Sequence, residues 1–250
     1  MLINFLYIVL ATICSLSFFI IVFSEVGKRS DIFCKAPGLD LTVGIFTFIP
    51  WILGFMVSGF SGFIATILAE VLCLYLFSYI HTHFIKQYKG PRIDHTMNKV
   101  VGLLRNHAGL LLSLLALPAF LAVRLGEIFL YPPMAAMLGF PKYKTSEWIN
   151  VSRHKFEGLV GFDLIWCLYC DWMTGVYALG GEMLRNVESF WCPIRYYEGK
   201  KCDNCKVDFP DIETWVPADG AMIDVKNLLM EKYPLNSDKD RSWFDHPDRK

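Results

Sequence analysis

Residues 41–84 read LTVGIFTFIPWILGFMVSGFSGFIATILAEVLCLYLFSYIHTHF, and this stretch decides the fold. It is apolar over about twice the length that crosses a hydrocarbon core. In its middle stand Ser58, Gly59, Phe60, Ser61 and Gly62, whose small residues permit a tight reversal. A transmembrane helical hairpin is the economical reading. The flanks are basic, with Lys28, Arg29 and Lys35 before and Lys86, Lys89, Arg92, Lys99 and Arg105 after, while the reversal carries no charge. The positive-inside rule then puts both flanks in the cytoplasm and the Gly/Ser turn and the amino terminus outside.

Working outward, residues 1–23 are almost unbroken apolar and long enough to span a core of roughly 30 Å as a first transmembrane helix. A cleaved leader would carry a basic start and a small-residue cut site, whereas the first charge here is Glu25, so this segment is expected to stay in the mature chain. Residues 108–131 form another apolar segment, with Pro118 in the middle, Arg124 and Glu127 in the second half and Pro132-Pro133 at the end. It reads as a re-entrant or a fourth transmembrane helix. The re-entrant form is preferred, because Lys142, Lys144, Arg153 and Lys155 follow it and because thiols persist in a reducing compartment. Residues 142–233 are mixed polar and aromatic and are expected to make a small α-rich, cysteine-bearing cytoplasmic domain at the membrane surface. Gly180-Gly181 is a candidate helix break or bend, and residues 222–233 have amphipathic helical spacing. Residues 234–250 are a polar tail. The expected class is mainly α, a polytopic helical membrane anchor followed by this domain, in a multi-pass cell-membrane protein.

Composition agrees. Of 250 residues, 54 % are hydrophobic and 19 % charged, which is apolar for a soluble domain. With 24 basic against 24 acidic residues there is no field to attract nucleic acid, and no nucleic-acid partner is expected. The partners implied are the lipid bilayer and other subunits of a membrane assembly. Trp148, Trp166, Trp172, Trp191 and Trp215 suit a headgroup zone or a protein interface.

The chemical signal is in the cysteines. Five of the eight fall between Cys167 and Cys205, with Cys167-Leu-Tyr-Cys170 and Cys202-Asp-Asn-Cys205 each at C-x-x-C spacing. Two such pairs can supply the four thiolates that a structural zinc, or an iron–sulfur cluster, requires. Cys167, Cys170, Cys202 and Cys205 are the candidate ligands, with Cys192 and His154 as alternates. Cys167 and Cys170 lie on an apolar helical stretch and read equally well as small packing residues. Neither pair has the strand-to-helix context of a disulfide oxidoreductase.

Several other ionisable groups stand in apolar surroundings. Glu70 lies inside an apolar helix, where a carboxyl is a functional candidate by default. His81 and His83 read as interfacial anchors, and Arg124 with Glu127 as a mutually neutralising pair. Three functions follow. The first is a non-enzymatic membrane subunit presenting a zinc-stabilised scaffold domain within a transport or secretion machine. The second is a membrane redox protein with an iron–sulfur centre or a dithiol/disulfide pair. The third is a membrane enzyme acting on a lipid, using Asp171, Glu182 or His154 for acid/base work.

Overall fold

A computed structural model describes residues 2–27, 30–84, 92–151, 159–191, 216–217 and 219–233. Among these the fold is helical, with an isolated antiparallel bridge between Lys35 and Asn150.

The first helix, α1 (Leu2–Gly27), has no proline and is apolar on every side. Only Ile8, Val9 and Leu16 are buried, whereas Leu2, Ile3, Leu6, Leu10, Phe18 and Ile21 are more than half exposed. Each such side chain would gain roughly 1.5–3 kcal/mol on leaving water, so the exposed set alone rivals the whole stability of a domain. A hydrocarbon surrounding removes that penalty. Three helical stretches are long and apolar enough to cross a membrane: Leu2–Gly27, Phe48–Phe84 and Leu103–Leu138.

After a 3-10 turn (Asp31–Cys34) come α2 (Gly38–Phe46) and α3 (Phe48–Phe84). The break at Thr47 has a cause in Pro50, which has no N–H for the Phe46 carbonyl four residues back. Within α3 the backbone leaves helical geometry at Ser58 and Gly59, where Gly59 has φ +59°. The chain turns back on itself there: a Cβ placed on Gly54 would stand 2.6 Å from the Gly62 carbonyl oxygen. A straight helix would hold those residues about 12 Å apart. Residues 48–57 and 60–84 are therefore two antiparallel arms, joined at Ser58-Gly59 and clasped by glycine on glycine. Trp51 also donates across the arms to Glu70, Nε1 to Oε2 at 2.6 Å. The second arm packs on α1 through Ala65 and Ala69 against Ile8 and Val9.

The chain continues through α4 (Ile93–Val101), α5 (Leu103–Ser113), α6 (Leu117–Leu125) and α7 (Tyr131–Leu138). From α5 to α7 the helical run is nearly continuous, with its irregularities where prolines demand them. A 3-10 turn at Leu114–Ala116 precedes Pro118, and a π-helical segment at Gly126–Leu130 holds Ile128 and Phe129, the residues four before Pro132 and Pro133.

A short α8 (Thr145–Trp148) leads to α9 (Phe162–Trp191), and α10 (Met222–Lys232) is the last described helix. One stripe of α9 is buried at helical spacing: Trp172, Val176, Leu179, Met183 and Asn186. Of the break or bend expected at Gly180-Gly181, no break occurs: the helix runs through both residues. Gly180 is there for clearance, since a Cβ would meet Val123 Cγ1 at 2.7 Å.

The chain divides into two compact units: Met1–Pro118 with Thr145–Val176, and Ala119–Lys144 with Tyr177–Lys250. The span 142–233 thus contributes to both. In the first unit, Trp172 donates to Asp40 (Nε1 to Oδ1, 3.0 Å), and residues 34–36 pair with 149–151.

Candidate functional site

In the first unit, α4 begins with its amide protons pointing at α9. Asp163, in the first turn of α9, accepts from Ile93 N–H (Oδ2, 3.0 Å) and Asp94 N–H (Oδ1, 2.9 Å). A distant carboxylate thereby satisfies donors that a helix start leaves orphaned, and it meets the positive end of the helix dipole. Gly161, two residues before Asp163, has φ +61°, and a Cβ there would meet Thr82 Oγ1 at 2.6 Å and Ser78 Oγ at 2.8 Å. Only glycine lets the backbone lie this close to α3. Its N–H donates to His81 Nδ1 at 3.1 Å. Arg92 donates to the Val160 carbonyl at 3.3 Å and reaches Thr82 Oγ1 at 3.5 Å.

Gly102, at φ +90°, turns the chain from α4 into α5 and brings their polar faces together. Asp94 accepts from Asn98 (Oδ2, 3.3 Å) and from Asn106 (Oδ1, 3.1 Å), and Asn106 also donates to Asn98 Oδ1 at 2.9 Å. His107 Nε2 faces Asp94 Oδ1 at 3.6 Å, and His107 Nδ1 meets the Tyr75 hydroxyl at 3.0 Å. A carboxylate can only accept, so with the imidazole proton on Nε2, toward Asp94, Nδ1 accepts from the Tyr75 hydroxyl. Phe162 packs edge-on against both rings, with centroids 5.0 Å from Tyr75 and 5.2 Å from His107.

These groups line a cleft of about 440 Å³, whose walls include Tyr75 and Tyr79 from α3, Arg92, Asp94 and Asn98 at α4, and His107 from α5. Chemically it combines a fixed cation, two aspartates and a histidine held between a phenol and a carboxylate. That set can orient a polar ligand and move a proton.

Of the residues singled out in the sequence, Cys167, Cys170, Asp171 and Glu182 are described and do not line this cleft. Cys167 and Cys170 are on α9, half-buried and exposed respectively, with Cys170 Sγ 3.8 Å from Thr174 Oγ1. Cys192, Cys202, Cys205 and His154 lie outside the described residues. Among the described residues, no three of His, Cys, Asp and Glu stand together as metal ligands. Asp171 is buried in the first unit. Glu182 is buried in the second, where its two oxygens accept from Tyr143 (3.3 Å) and Arg185 (3.2 Å). Those contacts belong to a second polar cluster. Asn186, fully buried, donates to the Tyr143 and Tyr131 hydroxyls at 2.8 and 3.2 Å. Burial holds the Tyr143 phenol well above its ordinary pKa. In the same unit, Arg124 and Glu127 pair at 2.8 Å, both buried.

Asp94, His107 and Tyr75 were not candidates from sequence. Their signal is faint: a run of Asp94, Asn98, Asn106 and His107 across Gly102, in a stretch whose basic residues read as a loop. Comparison with protein-family models, with curated proteins and with solved structures returned no match.

Proposed function

We propose that this is a multi-pass membrane protein whose cleft receives the polar head of an amphipathic molecule. The observation carrying the reading is that α3 supplies both an apolar membrane arm and a wall of the cleft. Tyr75, Ser78, Tyr79 and Thr82 line it, while Leu68, Leu72 and Leu76 on the same arm are exposed. Tyr75 stands nine residues from the end of α3, roughly 14 Å along the axis and in the half of the arm nearer that end. A tail in lipid and a head against Asn98, Arg92 and Asp94 would occupy one continuous path. By the charge of the flanking loops the cleft opens on the cytoplasmic side. This develops the lipid-directed reading of the sequence, with Asp94 and His107 in the acid/base positions.

Native mass spectrometry of the full chain in detergent, offered short-chain glycerolipids, tests it. Wild-type protein should retain adducts, and Asn98→Phe, which fills the cleft, should lose them. Equal retention by both proteins would remove the proposal.

A second reading rests on the cysteines of α9. Cys170 is exposed and Cys167 half-buried, and neither belongs to the buried stripe of that helix. A zinc bound by cysteines of this chain would make the region after α9 a scaffold for other subunits.

A further inference from the structure

We propose that Tyr75 is the reactive group of the cleft, an activated phenol with His107 as its base and Asp94 as the anion that orients and balances that base. The inference deepens the headgroup-binding reading and rests on it for the natural substrate, an ester of an amphipathic molecule.

The Tyr75 hydroxyl lies 3.0 Å from His107 Nδ1, and the opposite ring nitrogen faces Asp94 at 3.6 Å. Asp94 is itself held on three sides, by its own N–H on Asp163 and by the amides of Asn98 and Asn106 on its carboxylate. Stacking on Tyr75 and edge packing by Phe162 fix the plane of the imidazole. A nucleophile hydrogen-bonded to a base that a third group orients is the arrangement that activates weak nucleophiles. Tyr75 is 37 % exposed and lines the cleft.

The step balances within the site. As the phenol oxygen bonds to the electrophilic atom of the ester, its proton passes to His107 Nδ1. The ester's alkoxide leaves with the bond electrons and takes that proton back from the imidazolium. Asp94 remains ionised throughout and stabilises the imidazolium between the two transfers.

Tyr79 provides an internal control. It lines the same cleft and is more exposed, at 65 %, but its ring lies on His83 with centroids 4.8 Å apart. Exposure alone would make Tyr79 the more reactive phenol. The test is labelling of the full chain in detergent with tosyl fluoride. In this reaction the phenol oxygen bonds to sulfur, fluoride leaves, and the proton goes to His107. Peptide mass spectrometry follows each tyrosine. Tyr75 should label at least about tenfold faster than Tyr79. His107→Gln keeps a hydrogen-bonding side chain without a base and should bring Tyr75 down to the Tyr79 rate. Asp94→Asn should slow Tyr75 and leave Tyr79 unchanged. If Tyr75 labels no faster than Tyr79, or if His107→Gln keeps the wild-type rate, the proposal is overturned. The probe needs no lipid, so fast Tyr75 labelling in a wild-type chain that retains no lipid adducts, or that retains them no better than Asn98→Phe, would reject headgroup binding alone.

Discussion

The carboxylate of Asp163 accepts the backbone N–H of Asp94 at 2.9 Å, so one aspartate fixes the backbone from which the other reaches His107. The cleft is thereby tied to the helix start that supports it. Asp163→Ala should orphan two amide protons of α4 and cost about 1–2 kcal/mol. Asp163→Asn should cost less, because its carbonyl still accepts one bond. Thermal unfolding in detergent measures the difference, and hydrogen exchange at residues 93 and 94 should quicken in the alanine variant. Unchanged exchange there would show that the cap does not hold α4.

The reversal in α3 depends on glycine clearance. Gly62→Val would drive a branched side chain into the Gly54 carbonyl, and overpacking of this kind costs about 1–3 kcal/mol. The expected result is a fall in folded, monodisperse protein recovered in detergent. Gly181→Ala is the contrasting variant, since a Cβ there meets nothing within 4 Å. It should be neutral or stabilising by up to about 1 kcal/mol. Equal yields of Gly62→Val and wild type would contradict the tight reversal.

Arg124 and Glu127 form a buried pair at 2.8 Å. Removing one partner strands the other, at about 3–5 kcal/mol. Arg124→Leu and Glu127→Leu should each destabilise strongly, and the double variant should cost much less than their sum. A double-variant cycle from thermal or denaturant unfolding reads the coupling, and additive losses would mean the pair is not an energetic unit.

For the cysteines, the scaffold reading predicts one zinc per chain, lost on Cys202→Ser and on Cys170→Ser. Elemental analysis of the full-length protein decides it. A colourless, metal-free wild type would reject both zinc and an iron–sulfur centre, whereas visible absorption with bound iron would favour the redox reading over zinc.

What the sequence discloses and what it conceals follow from the range of the forces involved. Helicity and the apolar stretches are legible because each depends on neighbours a few residues away. The cleft is not. Asp94 and Asp163 are 69 residues apart and meet only in three dimensions, while Tyr75 looks in sequence like any aromatic near the end of a membrane arm. Gly180-Gly181 misleads for a related reason. Helical glycine costs about 1 kcal/mol against alanine, yet the approach of Val123 leaves Gly180 no room for a side chain. The cysteine spacing is legible as a pattern, but three of its thiols, Cys192, Cys202 and Cys205, lie outside the described residues.

Because the backbone of Gly161 rests directly on Ser78 and Thr82, the start of α9 is geared to the end of the hairpin arm rather than cushioned from it. A membrane arm adapts to a thinner bilayer by leaning over. Leaning α3 would carry Gly161 and Asp163 with it, and through them the first turn of α4, so the aperture over Tyr75 should track the thickness of the surrounding lipid.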